Sequence, residues 1–311
     1  MKKKISVIIP TNNNKYILKT ITSVREIADE IIVVNSSGEK DTLKDLDYIS
    51  IVEAPVGKTN ASKARNIGFE KARNEIIFFI DADVEIAEES KKYLQDLKQT
   101  LKENEVVSGI YQTSSKLSKI SNINTNILQY RLQKINVPKK FQLVYSSHFL
   151  ICRNLFLEIG GFNENLDTYE DIDFFVRAQK LTNAKILLSS NFKAFHHKNY
   201  NFFSFLSEIT KKTFNATFAK LDNKHLFKGT TFSIDWKINL IPLPVPIFFI
   251  FLFFSGNIYL SSSIFLALFF LNLTLTKKMF DKENLLLGNI IISFVGICAW
   301  ASSVFAIFCF Y

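Results

Sequence analysis

Residues 75–83 read Glu-Ile-Ile-Phe-Phe-Ile-Asp-Ala-Asp, an apolar run of strand length that ends in two carboxylates. Such a run, apolar on both faces, is typical of a strand in a sheet that helices cover on both sides. Further apolar runs alternate with helical patterns, which places strands at 5–10, 30–35 and 49–53 and helices at 15–27, 59–73 and 87–103. This alternation predicts an α/β fold class with a Rossmann-like, mostly parallel sheet.

Polar side chains stand where these predicted strands end. Asn35 ends one strand, and Asp81 follows another. Ligands of such sheets bind beyond the carboxyl ends of the strands. If the extended geometry continues through Asp83, both carboxylates face one site, and such oxygen ligands suit Mg²⁺ or Mn²⁺ bridging a diphosphate. The alternative interpretation is that the two aspartates start a helix, since glutamates follow closely.

Composition limits the classes of protein to which the chain can belong. Its 311 residues are 48% hydrophobic and carry a net charge of +9, which excludes a disordered chain. Three cysteines exclude a disulfide framework and a four-cysteine zinc site. Charge is uneven, because residues 238–311 contain only five charged side chains. We therefore predict an α/β domain at 1–200, an interfacial amphipathic connector at 201–237 and a membrane domain at 238–311.

The membrane domain is predicted from apolar runs at 238–254, 258–275 and 285–311. A helix needs about 20 apolar residues to cross a bilayer, so two to three transmembrane helices are expected. The first run contains three prolines and could instead be re-entrant, and buried core helices are the remaining alternative. Lysines at 276–284 place that loop in the cytoplasm. We expect an integral protein of a prokaryotic plasma membrane, with residues 1–200 in the cytoplasm and no cleaved signal peptide.

The connector combines phenylalanines with lysines, as in Lys211 and Lys212. This pattern favours a helix that lies among membrane lipid headgroups, where anionic lipid would attract its lysines. A helix packed against the sheet is the equally weighted alternative. Nucleic acid is not expected as a partner.

Four motifs together resemble the family 2 glycosyltransferases, which have the GT-A fold. They cover roughly residues 4–200. In chain order they are Ser6-Val-Ile-Ile-Pro-Thr-Asn12, Lys63-Ala-Arg-Asn-Ile-Gly68, Phe79-Ile-Asp-Ala-Asp83 and Gly160-Gly-Phe-Asn-Glu164, the last followed by Tyr169-Glu-Asp-Ile-Asp-Phe174 and Arg177.

The resemblance implies a binding site for a nucleotide-sugar donor. The loop that contains Pro10, Thr11 and Asn13 would cradle the nucleotide. Arg65 would contact the nucleotide or its diphosphate, because a guanidinium suits bidentate phosphate contact. Asp81 would lie near the ribose. The family usually has an aspartate where Asn35 stands, so the selectivity for the base stays open.

The resemblance also implies the residues of the transfer step. Asp83 and His196 would hold Mg²⁺ or Mn²⁺, although a structural role for the histidine is an equal alternative. Asp171, next to the substrate-binding Glu170, would be the base that deprotonates the acceptor. The Gln-x-x-Arg-Trp motif of processive enzymes is absent after His197, which favours one sugar per encounter.

The function expected from these features is that of an inverting, metal-dependent hexosyltransferase in cell-envelope polysaccharide synthesis. Its acceptor would be membrane-borne, as a polyprenyl-linked or glycolipid-linked glycan, at the cytoplasmic face. Two alternatives stay open. One is a membrane-anchored module that binds a nucleotide or glycan without catalysis, and the other is a nucleotidyltransferase on a related fold.

Overall fold

The computed structural model describes residues 2–39, 43–44, 46–135, 144–222, 252, 255–277, 285–291 and 293. The chain forms two compact units. The first unit comprises Met1–Ser114 and Phe141–Lys198, and the second comprises Ser115–Lys140 and Asn199–Tyr311.

The first unit is built on one mixed sheet of eight described strands, in the order β3-β2-β1-β4-β7-β6-β8-β5. The strands are β1 (Ile5–Thr11), β2 (Glu30–Asn35), β3 (Ser50–Glu53), β4 (Ile76–Ile80), β5 (Val84–Ile86), β6 (Glu105–Tyr111), β7 (His148–Cys152) and β8 (Lys185–His196). The helices named among the described residues are α1 (Ile17–Val24), α2 (Ala61–Lys71), α3 (Lys91–Thr100), α4 (Lys119–Ile135), α5 (Arg153–Ile159), α6 (Glu170–Leu181), α7 (Phe202–Asp222) and α8 (Ile258–Thr276); residues 285–291 are helical as well. A single 3-10 turn at Glu88–Ser90 precedes α3, so the predicted helix at 87–103 is shorter than expected.

The sheet has an apolar core on each face, which explains the uninterrupted apolar runs. Val7 and Phe78 point into one core cluster, whereas Ile8 and Phe79 point into the other. Helix α2 lies close against β1, because a Cβ on Gly68 would come within 2.3 Å of the Ile8 Cγ2 methyl. This close approach fixes the helix that carries Arg65 against the central strand.

The sheet is mixed, with a parallel majority: four of its seven strand pairings are parallel, as the prediction of a mostly parallel sheet expects, and three are antiparallel. Strands β1, β2, β3 and β4 pair in parallel, and β6 pairs in parallel with β8. Strand β7 runs antiparallel to both β4 and β6, and β5 runs antiparallel to β8. Buried strands are apolar on both faces whichever way they run, so the residue pattern does not reveal their direction.

Strand β1 lies between β2 and β4. The chain leaves β1 first towards β2 and later returns to β4 on its other side. Such a switch point opens a crevice at the carboxyl ends of the two strands. The loop after Thr11 and Asp81 follow these two strand ends.

The second unit contains α4, α7 and α8 among its described residues. Its small core is formed by Ile123, Ile127, Phe205 and Ile291. The apolar runs predicted at 238–254 and 285–311 lie largely outside the described residues, while the run at 258–275 forms α8. Of the helices that the structure describes, none is both long enough and apolar enough to cross a membrane.

Candidate functional site

Arg65 joins two carboxylates from distant parts of the first unit. Its Nη2 lies 2.9 Å from Asp81 Oδ1, and its Nη1 lies 3.3 Å from Glu170 Oε1. The arginine is buried, with 2% of its surface exposed, and its guanidinium lies over the Phe162 ring at 5.2 Å. Burial opposes the charged form, but the charges of Asp81 and Glu170 outweigh it and raise the pKa of Arg65. The guanidinium therefore stays charged between its two partners.

Asp81 and Asp83 flank a turn, not a continued strand or the start of a helix. The Val84 N–H donates to the Asp81 carbonyl at 3.0 Å, and β5 begins at Val84. The extended geometry expected between the two aspartates is therefore wrong. Because of the turn, Asp81 contacts Arg65, whereas Asp83 contacts His196 on β8.

Asp83 and His196, the two predicted metal ligands, contact each other. His196 Nε2 lies 3.3 Å from Asp83 Oδ2, and the His197 N–H donates to the Asp83 carbonyl at 2.7 Å. Burial favours the neutral acid, but the hydrogen bond and charge of His196, together with the charge of Lys198, lower the pKa of Asp83. Asp83 is thus an anionic group held next to an imidazole.

The donor set of this pair fits a divalent cation of the Mn²⁺ or Mg²⁺ type. A carboxylate oxygen suits either ion, and an imidazole nitrogen suits transition metals. Within the described ranges, no group of three or more His, Cys, Asp or Glu side chains could hold a metal. A cation at this pair would therefore take its other ligands from water and a diphosphate, as Mg²⁺ commonly does.

Asp171 lies in the first turn of α6, directly after Glu170. Its Oδ1 accepts the Ile172 N–H at 2.8 Å. Burial, reinforced by the negative charge of Glu170, raises the pKa of Asp171 to about 7. A carboxylate with this pKa can take a proton near neutral pH.

The backbone just before α6 adopts an unusual conformation. Tyr169 has a φ of +64°, a left-handed conformation that non-glycine residues rarely adopt. Asn66 on α2 fixes the preceding loop, because its side chain accepts the Phe162 N–H at 3.0 Å and donates to the Phe162 carbonyl at 2.9 Å. Arg177 donates to the Gly161 carbonyl at 2.8 Å. These contacts give the Gly160–Glu164 motif a structural role: it fastens α6 to α2.

The predicted nucleotide loop follows β1. Pro10 and Thr11 end the strand, and the Thr11 hydroxyl donates to the Asn13 carbonyl at 3.0 Å. These three residues lie at the carboxyl ends of the central strands, where we expected them. Their contact with a nucleotide stays a prediction.

Asn35 at the end of β2 is almost fully buried, and both ends of its amide have partners. Its Oδ1 accepts the Ser37 N–H at 3.1 Å, and its Nδ2 donates to the Glu39 carbonyl at 3.0 Å. Nδ2 also lies 3.3 Å from the Glu53 carboxylate. An aspartate could not donate these two hydrogen bonds, so asparagine fits the local structure at this position.

Sequence reasoning missed several contacts around Asp83 and His196. His197 Nε2 lies 2.5 Å from Glu85 Oε2, and the Tyr16 ring stacks on this histidine at 5.3 Å. Tyr111 stacks on His196. The alternation of Asp83 with Glu85 was a usable signal. Tyr111 had none, because its neighbours are set by the order of strands.

The first unit has the form of a GT-A-like glycosyltransferase domain. It combines a mixed α/β sheet with two aspartates after a central strand and a polar loop after β1. The sequence profile described as "Glycosyltransferase like family 2" matches residues 6–240. The chain belongs to this family, and the glycosyltransferase assignment made from the four motifs is confirmed.

The chain is similar to several known proteins. An uncharacterized glycosyltransferase of Haemophilus influenzae is 24% identical over 184 residues, which cover 56% of this chain and 61% of that protein. The mannosyltransferase PcManGT from Pyrobaculum calidifontis, solved with GDP-Man and Mn²⁺, is 13% identical with a TM-score of 0.59, over 98% of this chain and 88% of that one. S. aureus TarS, solved with UDP-GlcNAc, is 18% identical with a TM-score of 0.47, over 72% of this chain and 69% of that one.

Proposed function

We propose that the chain is an inverting, metal-dependent glycosyltransferase that moves one hexose from a nucleotide-sugar donor to a membrane-borne acceptor. The observation that carries the proposal is the contact of Arg65 with both Asp81 and Glu170. One buried guanidinium thereby joins Asp81, which directly follows β4, to α6, the helix that carries Asp171.

Asp171 is the proposed base. It takes the proton of the acceptor hydroxyl while the hydroxyl oxygen forms a bond to the anomeric carbon and the bond from that carbon to the diphosphate oxygen breaks. The electron pair of the broken bond leaves with the nucleoside diphosphate. A single displacement of this kind inverts the anomeric centre. The pKa of about 7 that burial and Glu170 give Asp171 supports the assignment.

Asp83 and His196 are the proposed holders of Mg²⁺ or Mn²⁺. A divalent cation there would offset the charge that develops on the departing diphosphate. The anionic state of Asp83 and the 3.3 Å approach of its Oδ2 to His196 Nε2 support this role. The complex of PcManGT with GDP-Man and Mn²⁺ is a further reason to test this ion.

A polyprenyl-linked or glycolipid-linked acceptor at the cytoplasmic face of the membrane is the proposed acceptor class. Its support is the apolar surface of the second unit. Helix α8 contains no charged residue, and on it Tyr259 is 84% and Phe270 63% exposed. Phe203 on α7 is 80% exposed. Exposed apolar surface of this extent is typical of a site that binds lipid or protein.

A panel of radiolabelled nucleotide sugars, incubated with membranes that contain the full chain, tests this function. We expect one donor to release a nucleoside diphosphate and to transfer its label to a lipid-extractable product. Release of inorganic diphosphate would indicate a nucleotidyltransferase instead. Donor binding without any product would indicate a binding module, and label confined to the aqueous phase would contradict the lipid acceptor.

A further inference from the structure

The backbone fixes the positions of the two proposed metal ligands but not the orientation of the imidazole. Strand β5 pairs with β8 so that Val84 lies opposite His196. The His197 N–H donates to the Asp83 carbonyl, which holds the turn against β8. The His196 ring can still rotate about its side-chain bonds between several staggered positions. Some other contact must select the rotamer that brings Nε2 to Asp83.

The ring of Tyr111 provides such a contact. Tyr111 is the last residue of β6, which pairs with β8, and it is 2% exposed. Its ring centroid lies 4.9 Å from that of His196, and the two planes differ by only 12°. Stacked rings at this separation attract each other, and a buried ring on one face limits rotation of the imidazole.

Tyr111 is in turn tied to the strand end that carries the aspartates. Its hydroxyl forms a hydrogen bond with the Ser147 hydroxyl. Ser147 Oγ also lies 3.1 Å from His148 Nδ1, and the Ser147 carbonyl accepts the Asp81 N–H at 2.8 Å. Ser147 therefore connects the tyrosine to the backbone of the Asp81–Asp83 turn.

We propose that Tyr111 is a positioning residue of the cation site, whose ring, held by Ser147, fixes the orientation in which His196 presents Nε2 beside Asp83. This inference rests on the proposed metal-dependent function. It differs from an ordinary packing role in a measurable way. A tyrosine that only fills the core would affect folding stability, whereas a positioning tyrosine also affects the affinity for the cation.

The test is a titration of the purified full chain with Mn²⁺, alone and with GDP or UDP present, followed by electron paramagnetic resonance of the free ion. Loss of a residue that orients a ligand commonly weakens metal binding by about 10–100-fold, and we expect this range for Tyr111→Leu. Tyr111→Phe removes the hydrogen bond to Ser147 and keeps the ring, whereas Ser147→Ala removes that bond and the contact with His148; each should weaken binding less than Tyr111→Leu. The double variant should bind no more weakly than Ser147→Ala, because that single change already removes the bond to Tyr111.

Tyr93→Leu is the matched control. Tyr93 on α3 is a half-buried tyrosine that packs against the core cluster to which Tyr111 belongs. Its loss should lower thermal stability and leave Mn²⁺ affinity unchanged. The imidazole NMR resonances of His196 supply a second readout, and they should shift in the Tyr111 and Ser147 variants but not in Tyr93→Leu.

The outcomes separate this inference from the proposed function. If the unmodified chain binds no Mn²⁺ under any of these conditions, the metal site itself is wrong. If it binds Mn²⁺ and a folded Tyr111→Leu chain binds it equally well, the positioning role is wrong while the metal site stands. Should Tyr111→Leu fail to fold, unchanged affinity and unchanged His196 resonances in Tyr111→Phe and Ser147→Ala would overturn the inference.

Discussion

Arg65 shows how one residue can organise a site made from separate segments. Its buried guanidinium needs counter-charges, since an unpaired buried charge is strongly destabilising. Asp81 and Glu170 supply them through two different nitrogens. A lysine has one compact charge and could not span the two carboxylates in the same fork geometry. The choice of arginine therefore follows from the need to hold β4 and α6 together.

The environment of Asp171 predicts a pH dependence for transfer. Burial and the charge of Glu170 raise the pKa of Asp171 to about 7, and a base acts only when it is deprotonated. We therefore expect kcat/KM to rise with pH up to about 7 and to level off above it. Glu170→Gln removes the neighbouring charge, so its acid limb should move to lower pH, by about one unit.

The pH profiles of kcat/KM for the unmodified chain and for Glu170→Gln measure this effect. Glu164→Gln is a suitable control, because Glu164 lies in the loop before α6, contacts Asn66 on α2 and is not next to Asp171 in the chain. An acid limb that stays in place in Glu170→Gln, or that moves equally in Glu164→Gln, would contradict the cause given for the raised pKa.

At the level of elements, the sequence predicted the strands that are apolar on both faces. Strand β2 has the bounds that the pattern indicates, and β1 is one residue longer than predicted. The direction of β7 and the pairing of β5 with β8 could not be predicted, because they depend on contacts between distant segments. The same limit hid Tyr111 and Ser147, which meet only because β6 lies between β7 and β8.

A close approach between β6 and β8 gives a prediction about stability. A Cβ on Gly109 would lie 2.2 Å from the Phe192 carbonyl oxygen, a backbone atom that cannot move without the strand. Gly109 sits where the register between the two strands shifts. Gly109→Ala should therefore lower the free energy of unfolding by about 1–3 kcal/mol or more, measured by urea unfolding of the full chain.

Gly57→Ala is the comparison for this variant. Gly57 has a φ of +69°, and a Cβ there would meet nothing within 4 Å. Its cost is only that of the left-handed backbone, about 1–2 kcal/mol. If Gly109→Ala proves no more destabilising than Gly57→Ala, the contact between β6 and β8 is looser than described.

At the scale of the whole molecule, the family match and the compact units divide the chain at different places. The match extends over residues 6–240, beyond the end of the first unit at Lys198. All the proposed donor, cation and base residues lie in the first unit. The second unit contains α8, which has no charged residue, and α7, on which Phe203 is exposed; these are the features from which a lipid-linked acceptor is proposed. The proposed function therefore places donor chemistry in the first unit and acceptor binding in the second.

The most direct test of the central claim is the transfer rate of Asp171→Asn, compared with that of Asp96→Asn, a matched change on α3. Donor binding should be preserved in both variants, because neither change touches the predicted nucleotide loop, Asp83 or His196. Loss of a general base commonly costs 10²–10⁴-fold, so we expect a fall of about that size in kcat for Asp171→Asn alone. Transfer by folded Asp171→Asn at the rate of the unmodified chain would contradict the account.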